Sequence, residues 1–245
     1  DVKESLAKVA MTYEIPYAEI SKKDAHRHYL KLKGMKHTDI LVEGEWFARE
    51  GTEYRYGLSF EGKQQYFRRI NTGNQSSNYF QQANRWSVDG AVSPGPQRTW
   101  ENEKFMTSLM GSAYSLKMDK INRNVLRTMI GLRKYICAQF KPNVSKVIYD
   151  KLNSKNVLDF SAGWGDRLAG FYAGETSEYY LGIDPRKENH PIYEEQSEFY
   201  DKHRSMFEPN KTSEFICQPA EDVDFMGYKD KFDTVFTSPP YFNVE

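Results

Sequence analysis

Two glycines, three carboxylates and a proline-capped aromatic stand at the ends of four apolar runs in the second half of this chain. The first run leads into "VLDFSAGWGDRLAG" (Val157–Gly170), which puts Gly163 and Gly165 in a strand-to-helix turn just after Asp159. Glycine there permits a tight turn and lets a ligand approach the backbone closely. A glycine pair alone is equally compatible with plain turn chemistry. The second run ends in "GID", where Asp184 follows Gly165 by nineteen residues. A carboxylate at the end of the second strand can hold a nucleoside ribose through its hydroxyls. The third ends in "CQPAEDVDF", offering Asp222 at the same sheet edge. Glycines, an acid and another acid at three successive strand ends point to a nucleoside cofactor. The fourth, "FDTVFTSPPYFN", ends in Thr237-Ser238-Pro239-Pro240-Tyr241, with two rigid prolines and an aromatic ring at a strand tip.

Parallel strands alternating with helices would bring these ends together. "NVLDF", "YYLGID", "SEFICQ" and "FDTVFTS" read as buried strands, and "GDRLAGFYAG" and "HPIYEEQSEFYDKHRSMF" as helices, the latter opened by Pro191. Strand–helix alternation implies an α/β fold with a parallel, doubly wound sheet and ligands at the carboxyl ends of its strands.

The remaining sequence is less regular. "SLAKVAMTYEI" and "DAHRHYLKLKG" are helix candidates, and "EYRYGLSFEGKQQYF" reads as strands or hairpins, giving a mixed α+β N-terminal extension. His26 and His28, two apart, would face differently on a helix and make no metal pair. Residues 71–100 have no clean periodicity and read as an irregular segment rich in amides, in which Arg85, Trp86 and Arg98 are the candidates for nucleic-acid contact. From Glu101 to Phe140 the pattern turns helical, with Ile121, Val125, Leu132, Ile136 and Phe140 near one face. The expected division is therefore 1–100, a basic and aromatic region, and 101–245, the catalytic domain.

Across 245 residues the charge is zero, but residues 1–155 carry 26 Lys/Arg against 16 Asp/Glu, and residues 156–245 carry 8 against 18. Such a split suggests a basic part meeting a polyanion, for which a solvated basic face is the plain alternative. The apolar fraction of 39% fits a soluble globular protein, and no run approaches the ~18 apolar residues of a membrane span. Two cysteines, Cys137 and Cys217, have no metal-ligand spacing around them and suit a reducing interior, both expected to pack in the core rather than to be bonded or catalytic.

The turn lacks the third glycine of the dinucleotide fingerprint and resembles the S-adenosylmethionine loop of class I methyltransferases. "TSPPY" resembles the (D/N/S)PPY motif of the amino-methyltransferases, which modify exocyclic nitrogens of DNA bases. "FKPNVSKVIYDKL" (Phe140–Leu152) resembles the segment those enzymes place against the methionine end of the cofactor. The whole is similar to the variety found in phages and mobile elements, over Phe140 to the end. The chain departs from the pattern at Ser161, where the usual loop has a phenylalanine that packs on adenine, and at Trp164 between the glycines.

The resemblance implies a Rossmann-like methyltransferase fold using S-adenosylmethionine, with Phe140, Pro142, Asp159, Ser161, Ala162, Gly163, Gly165, Asp184 and Asp222 around the cofactor. Asp184 would hold the ribose, Asp222 the adenine amine, and Asp159 the amino end of the cofactor. Ser238 and the Pro239 carbonyl would accept hydrogen bonds from the target amine, Pro240 would help fix the backbone, and Tyr241 would stack on a base flipped from double-stranded DNA. No metal is required. Serine at 238 inclines the expectation to cytosine N4 over adenine N6. RNA or protein as substrate, and a non-catalytic nucleic-acid-binding protein with a vestigial fold, are the alternatives. A restriction-modification setting, a homodimer and the cytoplasm of a bacterial or phage-infected cell are also implied. The resembled fold has seven strands where four are legible, so a chain shortened at its C-terminal end, binding cofactor weakly and not turning over, is expected.

Overall fold

The computed structural model describes residues 2–43, 54–60 and 63–238, so that Pro239, Pro240 and Tyr241 lie outside the described residues. In chain order the elements are α1 (Val2–Met11), α2 (Lys22–Lys33), β1 (Leu41–Glu43), β2 (Tyr54–Phe60), β3 (Lys63–Arg68), α3 (Asn74–Trp86), α4 (Pro96–Glu101), α5 (Glu103–Ser115) and α6 (Arg123–Arg133). They continue with α7 (Pro142–Leu152), β4 (Asn156–Asp159), α8 (Asp166–Ala173), β5 (Tyr179–Ile183), α9 (His190–Asp201), β6 (Thr212–Ile216) and β7 (Thr234–Val235). No helix among the described residues is long and apolar enough to cross a membrane.

The chain divides into two compact units that interleave in sequence. One comprises residues 1–19 and 81–138, the other residues 20–80 and 139–239. This differs from the expected boundary at residue 100. The charge split does not survive the division: the two stretches of the first unit together carry 11 Lys/Arg against 8 Asp/Glu.

The first unit has an all-helical core in which Ala7 and Ala10 of α1 pack with Trp86, Trp100, Met106, Leu109, Met110, Leu126, Met129 and Ile130. The expected apolar face over residues 121–140 is displaced. Leu126, Met129 and Ile130 are the buried residues of α6, Leu132 is 61% exposed, and the helix stops at Arg133, so Ile136 and Phe140 are not on it. Asn122 explains the register, because its side chain accepts from the Val125 amide and starts the helix there.

Residues 71–100 are not the irregular segment their composition suggests, since most of 74–86 is helix. The buried side of α3 is polar: Ser76, Ser77, Gln81 and Arg85 lie inside with Trp86. Arg85 and Trp86 are therefore corrected as nucleic-acid contacts. Arg85 is 9% exposed and donates to the Cys137 carbonyl at 2.7 Å, and Trp86 is core. Arg98 is exposed, but it pairs with Asp89 at 3.0 Å and lies over the Phe105 ring.

The second unit holds an antiparallel sheet of order β1-β3-β2 and a four-stranded parallel sheet of order β6-β5-β4-β7. Parallel strands bury both faces, which is why "NVLDF" and "YYLGI" read as nearly continuous apolar runs. One face presents Val157 and Tyr180 to a core shared with α2, α7, α8 and α9, and Phe215 packs there too. The other presents Leu158, Leu181 and Ile183, covered by Ala220, Val223, Tyr228 and Phe232 from the turns between β6 and β7. Among the described residues the helices thus cover one face, and the second helical layer of a doubly wound sheet is not seen.

Helix α8 is buried along its whole length, and α7 packs so closely on it that a Cβ at Gly170 would meet Ser145 Oγ at 2.1 Å. Lys211 closes the far end of α8 by donating to the Gly174 carbonyl and to the Phe171 carbonyl, which also accepts from the Gly174 amide. Burial pushes this ammonium down to about 8, against the pull of Glu208 and Asp150. The ordinary lysine value is about 10.4, so between the two the unfolded chain binds a proton that the folded chain does not. Stability is therefore expected to rise as pH goes from about 8 to about 10, and Lys211→Met to flatten that rise; thermal unfolding at several pH values checks both.

Candidate active site

The strand order fixes where the site lies. From β4 the chain steps outward to β5 and then β6, and it returns past both to lay β7 on the opposite edge of β4. Connections reverse direction between β4 and β7, and such a reversal leaves a crevice at the carboxyl ends of the strands. The expected residues follow those ends: Asp159 closes β4, Asp184 follows β5, Asp222 lies in the short turn after β6, and Ser238 follows β7.

The turn after β4 adopts the conformation its glycines allow. Gly163 has φ +59° and Gly165 φ +71°, the left-handed region that glycine enters without penalty. A Cβ at Gly163 would meet nothing closer than the Ser161 carbonyl at 3.7 Å, whereas one at Gly165 would strike the Gln196 side chain at 2.3 Å. Gly163 is thus the open side of the turn and Gly165 the packed side. Ala162 is buried and its amide donates to the Ile183 carbonyl at 2.9 Å, fastening the turn to the end of β5.

Asp184 is 8% exposed. Its Oδ2 accepts from the Gly163 amide at 2.9 Å, and its Oδ1 from the Arg186 amide at 2.9 Å and the Asn189 side chain at 3.4 Å. Burial raises its pKa, and the amide donors of Arg186 and Gly163 oppose that rise. A carboxylate offers about four lone-pair sites, so Asp184 retains acceptor capacity for a ligand hydroxyl. Asn189 and Tyr193 both donate to the Gly163 carbonyl, holding the turn from the other side. Neither residue was singled out from the sequence. Asp222 is exposed in the turn after β6, and Cys217, the first residue past β6, is exposed beside the Pro185 carbonyl rather than packed in the core as expected.

Asp159 departs from its expected role. It is fully buried, with Arg167 Nε at 2.7 Å and Arg167 Nη2 at 3.1 Å on its two oxygens, and the Tyr180 hydroxyl at 2.6 Å. With its oxygens engaged inside the protein, it organises the turn rather than facing a ligand. Burial works against charge on Arg167, but the Asp159 carboxylate holds the guanidinium protonated, above its ordinary value. The same guanidinium donates to the Ser161 carbonyl and lies 5.3 Å over the Phe140 ring. Phe140 also meets Phe236 edge to face at 5.8 Å, and Pro142 is buried at the first turn of α7. Phe140, the turn and the end of β7 are thereby brought together. Arg167 was likewise missed, its only trace being its place in "GDRLAG".

Ser161 faces the fourth strand end. Its hydroxyl donates to the Ser238 carbonyl at 2.8 Å and lies 2.9 Å from the Thr237 hydroxyl. Trp164 sits with the Arg186 guanidinium 5.7 Å over its ring. Among the described residues no group of three or more His, Cys, Asp or Glu gathers as a metal site would require. No family model, no curated protein and no solved structure matches the chain.

Proposed function

We propose that this chain belongs to an S-adenosylmethionine-dependent methyltransferase acting on the exocyclic amine of a flipped-out base in double-stranded DNA. Cytosine N4 is preferred over adenine N6. The observation that carries the reading is that four parallel strand ends bring these groups to one edge of the sheet. A left-handed glycine turn and two carboxylates lie on one side of the switch in strand order, and Ser238 on the other.

The residues present suit a nucleoside. Gly163 leaves its side of the turn open, Asp184 keeps acceptor capacity for ribose hydroxyls, and exposed Asp222 can accept from an adenine amine. Phe140 lies by the start of the turn, where it would line the methionine end. S-adenosylmethionine, when bound, supplies an electrophilic methyl group on a sulfonium. The protein's task lies with the amine, whose lone pair is delocalised into the base and is a poor nucleophile. Acceptors on its two N–H bonds localise that lone pair. Ser238 Oγ is one of them; Pro239, Pro240 and Tyr241, the remainder of the motif, lie outside the described residues. The cysteines have no part in this chemistry, and Cys137 is buried.

Cys217 provides a probe of cofactor binding that does not depend on turnover. A nucleoside laid from Asp184 toward Asp222 passes over the first residue after β6. Alkylation of Cys217 is expected to slow at least about fivefold in saturating S-adenosylhomocysteine, as occlusion requires. Peptide mass spectrometry after timed labelling reads it, with buried Cys137 as the internal reference.

Transfer of labelled methyl to duplex DNA, RNA and protein by the full-length protein tests the substrate. Label in DNA alone supports the reading. Label in RNA or protein replaces it with the corresponding amino-methyltransferase, and binding without transfer to any of them leaves a nucleic-acid-binding protein on a vestigial fold.

A further inference from the structure

We propose that Ser161 is a positioning residue for the acceptor strand end, its hydroxyl setting where Ser238 enters the crevice. The inference rests on the function proposed above. Strand β7 has only two residues in register with β4, Val157 with Thr234 and Leu158 with Val235, followed by one more backbone bond from the Phe236 amide to the Leu158 carbonyl. Among the described residues no backbone bond to β4 is seen from Thr237 or Ser238. The Ser161 side chain takes over at that point, with hydrogen bonds to both residues.

Ser161 is itself held. Arg167 donates to its carbonyl, and Arg167 is locked by the buried Asp159 carboxylate. A rigid chain of contacts therefore runs from Asp159 through Arg167 and Ser161 to Ser238. Its last link is a side-chain hydroxyl, which can be removed without touching the backbone of either loop. By fixing the Ser238 carbonyl toward the turn, the link sets the orientation in which the Ser238 side chain begins. Residues held by a short strand and one side chain are sensitive to that side chain, because small misplacements of a reacting group are costly.

Ser161→Ala and Ser161→Thr in the full-length protein test this, the threonine keeping the hydroxyl. In Ser161→Ala, exchange of the Phe236 amide, which is bonded to the Leu158 carbonyl next to the anchored residues, is expected to accelerate about tenfold as the local anchor is lost. The kcat is expected to fall about ten- to a hundredfold, and by more than any loss of S-adenosylmethionine affinity, since Ser161 also lies in the cofactor turn. Ser161→Thr should restore both. Should Ser161→Ala fail to fold, Thr237→Val removes one partner of the hydroxyl and should accelerate exchange of the same Phe236 amide. Unchanged exchange overturns the inference, as does a fall in kcat matched by an equal fall in affinity, or a threonine variant as impaired as the alanine. If the wild-type protein neither binds the cofactor nor transfers methyl, the proposed function fails; the exchange measurement on the ligand-free protein still decides whether Ser161 anchors Ser238.

Discussion

Replacing Ser238 with alanine should reduce methyl transfer by the full-length protein by about a hundred- to a thousandfold, the range seen when one preorganised polar contact to a transition state is lost. Cofactor binding should stay within about threefold, because the groups assigned to the nucleoside sit on other strand ends. Ser238 follows β7, whereas Gly163, Asp184 and Asp222 follow β4, β5 and β6. The physical reason for so large an effect is that an aryl amine must be pyramidalised before its lone pair can react. A hydroxyl that accepts one N–H bond lowers that cost in the transition state more than in the bound state. Single-turnover rates with labelled cofactor, alongside calorimetry of binding, separate the two quantities. An equal loss in rate and affinity would mean that Ser238 holds the fold or the cofactor; no loss in rate would remove it from the chemistry.

Arg167→Met should destabilise the second unit by about 3–5 kcal/mol, as is typical when one member of a buried ion pair is removed. Asp159 has no solvent access and two of its hydrogen bonds come from that guanidinium, so the variant leaves a buried carboxylate with the Tyr180 hydroxyl as its closest donor. The Ser161 carbonyl loses its donor as well, and Phe140 loses the cation over its ring. Replacing both partners with apolar residues of similar size, Asp159→Leu with Arg167→Met, should cost less than the sum of the two single changes, because no unpaired charge remains. Urea unfolding of the four proteins in the cycle measures this, and simple additivity would show that the pair is not coupled.

How far the sequence discloses this arrangement depends on which physical signal each part leaves. The strands from 156 onward are legible because a parallel strand is covered on both faces and reads as an apolar run, and Gly163 and Gly165 because few other residues accept φ near +60° to +70°. Helix α3 is hidden for the opposite reason. Its buried side carries Ser76, Ser77, Gln81 and Arg85, so the segment is polar on average and shows no apolar run that would mark it as a core helix. That polar lining also drew Arg85 and Trp86 toward a nucleic-acid reading, when Arg85 spends its donors on a backbone carbonyl and Trp86 is core. The Asp159–Arg167 pair spans a turn at a separation of eight residues, which no regular helix or strand spacing marks. The Ser161–Ser238 bond joins positions 77 apart and follows only from β7 lying beside β4. Interleaving of the two units is equally silent in composition, since each is assembled from separate stretches of chain.

The central claim is that the four strand ends form a site for methylating a base amine. Its most direct test is digestion and mass spectrometry of DNA from cells expressing the full-length protein, with the Ser238→Ala variant as control. N4-methylcytosine is the expected product, N6-methyladenine being the second form the same site can make, and either should vanish in the variant. DNA with neither modified base, from cells containing folded protein that binds S-adenosylmethionine, would contradict the account.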